Sequence, residues 1–300
     1  MNGNRKLAHI MMVITVIIWG LEYVCAKTAL EELSPLVLIN FKYVVAFFFM
    51  LVIKIKMDPH HWIKKKDIGL FILCSVTGEI LYYYCEYSAM DYLTVSVITI
   101  ILAFVPALSV ITERVIFKKH PNKAMIAAML VCIAGVGLVI GVDFGQLVHG
   151  KAIGYIFCFG AVFFWNMYNF ITSGLGDRYK SVTLTFNQLT CTLLLTAPYT
   201  LMNLPSLSVM TQPSMITSIL YLGVVSGGIG FLFLVYSLSV LGPTPNAVYS
   251  NFLPVTSTLF AWLFLGESIS WLQILGGIIV ISAGYIVIRE KGKLEEQYSD

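Results

Sequence analysis

Glu79, Tyr82, Tyr83 and Glu86 recur at i, i+3, i+4 and i+7, the spacing that puts four side chains on one face of a helix. Two carboxylates flanking two phenol rings suit an ammonium or guanidinium group, by charge and by cation–π attraction of about 0.5–2 kcal/mol. A carboxylate in a low-dielectric site is also a candidate for proton coupling. The alternative is an ion pair of one of these acids with Lys42 that only fixes helix packing. The spacing leaves both readings open.

Other polar residues inside apolar runs extend the set. Glu22 lies one turn beyond Trp19 and faces the same way, either toward a cavity or into a structural pair with Lys42 or Lys27. Trp165, Asn166 and Asn169 make a comparable polar and aromatic stripe later in the chain. Amides there either bind a solute or hold helices together. Tyr249 and Asn251, just ahead of Pro254, belong to the same class. Ionisable groups in apolar segments are costly, so they are expected to face a polar passage or one another.

Enzyme chemistry finds no footing. There is no H-E-x-x-H, no G-x-S-x-G and no G-x-x-x-x-G-K-[ST], so neither metal hydrolysis, a serine nucleophile nor ATP-driven pumping is expected. His60 and His61 sit in a basic stretch without a ligand cluster around them. The six cysteines, Cys25, Cys74, Cys85, Cys132, Cys158 and Cys191, lie in apolar runs and form no C-x-x-C pair. They read as small buried hydrophobes. No cofactor, metal or nucleic acid is expected.

The elements that must carry these residues are membrane helices. Of 300 residues, 58% are apolar and only 12% charged, with a mean hydropathy of +0.84. A soluble domain carries roughly twice that charged fraction. Ten apolar stretches approach bilayer length: residues 7–28, 35–53, 68–87, 92–112, 124–140, 152–172, 182–201, 216–238, 245–265 and 271–288, against the roughly 17–25 a bilayer requires. Lys54, Lys56, Lys64, Lys65, Lys66, Arg114, Lys118, Lys119, Lys123, Arg178, Lys180 and Arg289 fall on one side of these spans. That side is expected to be cytoplasmic and to hold both termini, with the chain in the cell membrane.

The two halves repeat each other. Trp19-Gly20 returns as Trp165-Asn166, Tyr87-Ser88-Ala89 as Tyr236-Ser237-Leu238, and Pro106 as Pro254. An odd number of helices per half inverts the second copy. Residues 1–143 are therefore expected to form one five-helix repeat, 144–290 a second, inverted one, and 291–300 a cytoplasmic tail. Inverted halves can trade conformations and open a central site to either side in turn. Pro106 and Pro254 are expected to interrupt their helices, and the run Gly223, Ser226, Gly227, Gly228, Gly230 to leave its helix thin and bendable.

On these features together, ending in Leu253-Pro254 through Leu265-Gly266-Glu267 and then Gly276-Gly277 and Gly284, the chain resembles the drug/metabolite transporter superfamily, EamA-type branch. The resemblance implies an all-α integral membrane fold of ten helices in two inverted repeats. It also implies a secondary transporter, more often an exporter, of a small metabolite by alternating access. The excess of acids over bases among the apolar segments favours an amine-bearing or zwitterionic solute. Lys42 and Lys27 keep an anionic, nucleotide-type or sugar-type solute open as the alternative. Expected partners are that solute, the lipid bilayer and protons as a coupling ion, with the chain a monomer or homodimer.

Overall fold

The computed structural model describes residues 4–118, 121–141, 152–243, 246, 249 and 252–297. Among these the chain is helical and contains no strand. In order come α1 (Arg5–Leu30), α2 (Pro35–Met57), α3 (Lys65–Ala89), α4 (Val95–Ile116), α5 (Lys123–Gly141), α6 (Ala152–Gly176), α7 (Ser181–Met202), α8 (Pro213–Leu241), α9 (Leu253–Leu265) and α10 (Trp271–Gln297). Six of them, α1, α2, α3, α4, α6 and α8, are long and apolar enough to cross a bilayer; the apolar parts of α5, α9 and α10 are shorter. The protein is an all-helical, multi-pass membrane protein.

Local chemistry sets the helix starts. Asn4 accepts from the Leu7 backbone N–H to cap α1, and Thr94 does the same for α4 from Val97. Proline opens α2 and α8, where its missing N–H would have no partner in any case. Pro106 and Pro254 obey the same rule. α4 breaks at Ala103 and Phe104, and Pro106 stands in the first turn of its second piece; Pro254 stands in the first turn of α9. The prolines therefore open new helical pieces rather than leave an unpaired group in the middle of one.

Two helices depart from the α ladder at corresponding places. Within α3, Ser75–Leu81 is π-helical, and within α8, Tyr221–Gly230 is. A π turn widens the helix and resets which side chains share a face, and such turns gather at functional sites. The glycines of α8 serve close approach as well. A Cβ at Gly223 would stand 2.4 Å from Val45 Cβ and 2.9 Å from the Lys42 carbonyl oxygen, so α2 lies directly against this backbone.

Helix pairing crosses between the halves. α1 packs on α8 and α9, α6 on α3 and α4, α2 along α7, and α5 along α10. Outside the spans, a polar clamp ties the α2–α3 connection to the start of α7. Asp67 accepts from Tyr179 Oη at 2.6 Å and from Arg178 at 2.8 Å, while Tyr179 Oη accepts from the Lys64 N–H at 3.0 Å. Asp58 accepts from Thr183 and, at 3.3 Å, from Lys180, and meets His61. Burial pushes the Asp58 carboxyl up, but these hydrogen bonds win and hold it at about 2. Lys54 turns inward to the carbonyls of Asp58 and His61.

Candidate functional site

The middle of the bundle is aromatic, and the halves meet there through their equivalent tryptophans. Trp19 of α1 and Trp165 of α6 stand edge to face at 5.6 Å between ring centroids. Trp165 stacks on Tyr168 at 5.2 Å and leans on Tyr82 at 4.6 Å. Phe231, at the first α-helical turn after the π segment of α8, touches Trp19, Tyr43, Tyr83, Trp165 and Tyr168. These residues are buried, and together they wall off the charges between them from lipid.

A small cavity lies at this junction, lined by Trp19, Glu22, Tyr23, Tyr82, Tyr83, Glu86, Trp165 and Leu253. Its volume is about 10 Å³, the scale of one water molecule. Glu86 is 2% exposed and accepts from the hydroxyls of Tyr23 and Tyr82, each at 2.5 Å and both on Oε1. Among the described residues no lysine, arginine or histidine forms a salt bridge with it. The Trp19 indole N–H is buried nearby without an acceptor among the described residues.

Beside the cavity the second acid is neutralised. Lys42, wholly buried, donates to Glu22 Oε1 at 2.5 Å and lies over the Tyr83 ring at 3.6 Å. Glu22 also accepts from Tyr87 at 3.3 Å and from Ser226 of the α8 π segment. The pair thus joins α1 and α2 to α8. Charge, two hydroxyl donors and an aromatic face together meet the cost of holding two ions away from water.

Trp19, Glu22, Tyr82, Tyr83, Glu86 and Trp165 therefore come together at one cavity, with Lys42 in contact behind them. Glu79 does not join them. The π turn separates it from the face of Tyr82 and Glu86, and it accepts instead from Thr192 of α7 at 2.6 Å. Asn166 accepts from Ser109 and donates to Thr112, both at 2.7 Å, holding α6 to α4. Asn169 donates to the Trp165 carbonyl of its own helix. Tyr249 pairs with His9 near the start of α1, away from the cavity. Asn251 lies outside the described residues.

Tyr23 and Ser226 are the residues the spacing argument passed over. Tyr23 follows Trp19 at i+4, so the helical repeat itself carried that signal. Ser226 was hidden among glycines, in a run read as a thin, bendable stretch of helix.

Comparison with known proteins agrees with this architecture. The description of the EamA-like transporter family matches the chain twice, over residues 6–141 and 152–289. An uncharacterized transporter of Archaeoglobus fulgidus is 23% identical over 290 residues, covering 94% of this chain and 97% of its own. The uncharacterized transporter YvbV of Bacillus subtilis is 21% identical, with 96% and 93% covered. A solved crystal structure at 14% identity superposes with a TM-score of 0.74 over 97% of this chain and 100% of its own, which speaks for the fold. With the family pattern present in both halves of a helical membrane bundle, this chain belongs to the EamA-like transporter family and is a transporter, not an enzyme.

Proposed function

We propose that the protein is a secondary active transporter of a small amine-bearing or zwitterionic metabolite, and that Glu86 receives the substrate's ammonium group. One observation carries this reading: a buried carboxylate faces an aromatic cavity with two phenol donors and no basic partner among the described residues. Both phenols occupy Oε1, which leaves Oε2 for a donor arriving from the cavity. Trp19, Tyr82 and Trp165 offer ring faces to the same cation. The anionic alternative is weakened because Lys42, the base nearest this site, is already matched by Glu22 and Tyr83.

Alternating access supplies the mechanism. A cavity with room for about one water fits a closed state between two open ones. The two halves, residues 1–143 and 144–290, rock against each other across the Trp19–Trp165 contact. The matched π segments of α3 and α8 provide slack, since a π turn can re-form as α at little cost in hydrogen bonds. Lys42–Glu22–Ser226 ties α8 to the first half and parts when the site opens. Export from the cytoplasm, by exchange or coupled to protons, follows the family's usual direction. Both termini lie on the cytoplasmic side, as the crowding of Lys and Arg there supports.

At a fixed concentration, a ligand that binds the folded state raises its melting temperature more the tighter it binds. Purified protein screened against amino acids, amines, nucleosides and sugar phosphates should respond to the first two groups. A response confined to nucleosides or sugar phosphates would overturn the amine reading.

A further inference from the structure

Glu267 follows α9 at the membrane face reached by the C-terminal end of α1. Its Oε1 accepts from Lys27 at 2.6 Å and from the Val95 N–H at 3.3 Å, so one oxygen ties α1 and α4 to the α9–α10 connection. The side chain is only 9% exposed. The other oxygen, Oε2, is buried and meets no donor among the described residues. A carboxylate oxygen sealed from water and left unmatched is costly, and calls for a donor.

A groove of about 560 Å³ runs from Glu267 along the seam of α9 and α10, with Ile100 of α4 in its wall. That volume is on the scale of sites for whole ligands, roughly 300–1,000 Å³. Its walls are apolar, among them Val255, Leu259, Trp262 and Ile278, and among the described residues Glu267 is the one charged side chain lining it. The first three and Ile278 are also exposed at the bundle's outer surface, so the groove opens sideways, toward lipid. Lys27, next to Glu267, keeps a third of its side chain exposed and has ammonium protons to spare beyond the one on Glu267.

The apolar trough reaches an unmatched negative group, and Lys27 stands beside that group without lining the trough. We propose that this groove binds a single phospholipid whose headgroup carries a primary ammonium. The acyl chain lies along α9 and α10, the phosphate meets Lys27, and the ammonium donates to Glu267 Oε2. The site is separate from the cavity around Glu86 and independent of which solute is carried.

The test uses delipidated protein in detergent, titrated with dioleoyl phosphatidylethanolamine, phosphatidylcholine or phosphatidylglycerol. Bound lipid is counted by native mass spectrometry alongside the melting temperature. Phosphatidylethanolamine should bind saturably, one per chain, and about tenfold tighter than phosphatidylcholine, whose quaternary ammonium has no N–H to donate. Glu267→Gln should bring that preference close to one. Val255→Trp fills the groove without touching the Lys27–Glu267 pair, and should abolish the saturable binding of phosphatidylethanolamine. Equal binding of all three lipids, a preference for phosphatidylglycerol, selectivity that survives Glu267→Gln, or full binding to Val255→Trp would each overturn the proposal.

Discussion

Lys42→Met removes the cation at the centre of the bundle and leaves Glu22, among the described residues, with Ser226 and Tyr87 as donors. Methionine matches the length of the lysine stem, so packing against Tyr83 and Phe231 is largely kept. What is lost is the charge partner of an acid that is 4% exposed. Breaking a buried pair by removing one member costs about 3–5 kcal/mol, because the other charge stays behind. For a chain of this size that corresponds to a fall in melting temperature on the order of 10 °C. Removing both charges in Lys42→Met/Glu22→Gln eliminates the stranded ion, and most of the loss should return. Thermal melting of the purified wild type, both single variants and the double variant closes the cycle, with a coupling of about 2 kcal/mol or more expected. If Lys42→Met melts within about 2 °C of the wild type, or the double variant is as unstable as Lys42→Met, the pair is not the central fastening described here.

Three further outcomes follow from other contacts. Gly223→Ala places a methyl against Val45 Cβ and the Lys42 carbonyl, and should destabilise by about 1–3 kcal/mol; adding Val45→Ala should restore part of that in the same melting assay. Tyr179→Phe removes both the bond to Asp67 and the acceptor for the Lys64 N–H, and should cost about 1–3 kcal/mol by melting; an unchanged melt would mean the clamp is idle. Asp58 sits at about 2 when folded, below its ordinary value near 4. Its contribution is therefore fully present above about pH 4 and lost as pH falls toward 2. Melting temperature should drop across that window more in the wild type than in Asp58→Asn, and equal slopes would refute the assignment.

The residues show where spacing carries the reading and where it stops. Tyr82, Tyr83 and Glu86 were legible as one face because this stretch keeps the α period. Glu79 fell off that face because a π turn intervenes, and a π turn has no mark in hydrophobic periodicity. That Lys42 meets Glu22 rather than Glu79 or Glu86 is a matter of helix rotation and depth, which no local pattern encodes. Asp58 and Asp67 were passed over because loop acids at a membrane surface ordinarily meet water. Here a folded connection buries them against Arg178, Tyr179 and Thr183. The overall class was visible from the start, since apolar runs of bilayer length and few charges admit hardly any other architecture.

The claim on which the functional reading turns is that Glu86 holds the ammonium of the transported solute. Counterflow of a radiolabelled amine or amino acid that stabilises the wild type, measured in proteoliposomes for wild type and Glu86→Gln, addresses it directly. Losing the charge of a buried, hydrogen-bonded partner should cost about 2–5 kcal/mol of binding, which is roughly 30-fold or more in apparent affinity. The melting curve of Glu86→Gln without ligand should show a folded protein. Uptake by Glu86→Gln with the affinity of the wild type would contradict the account.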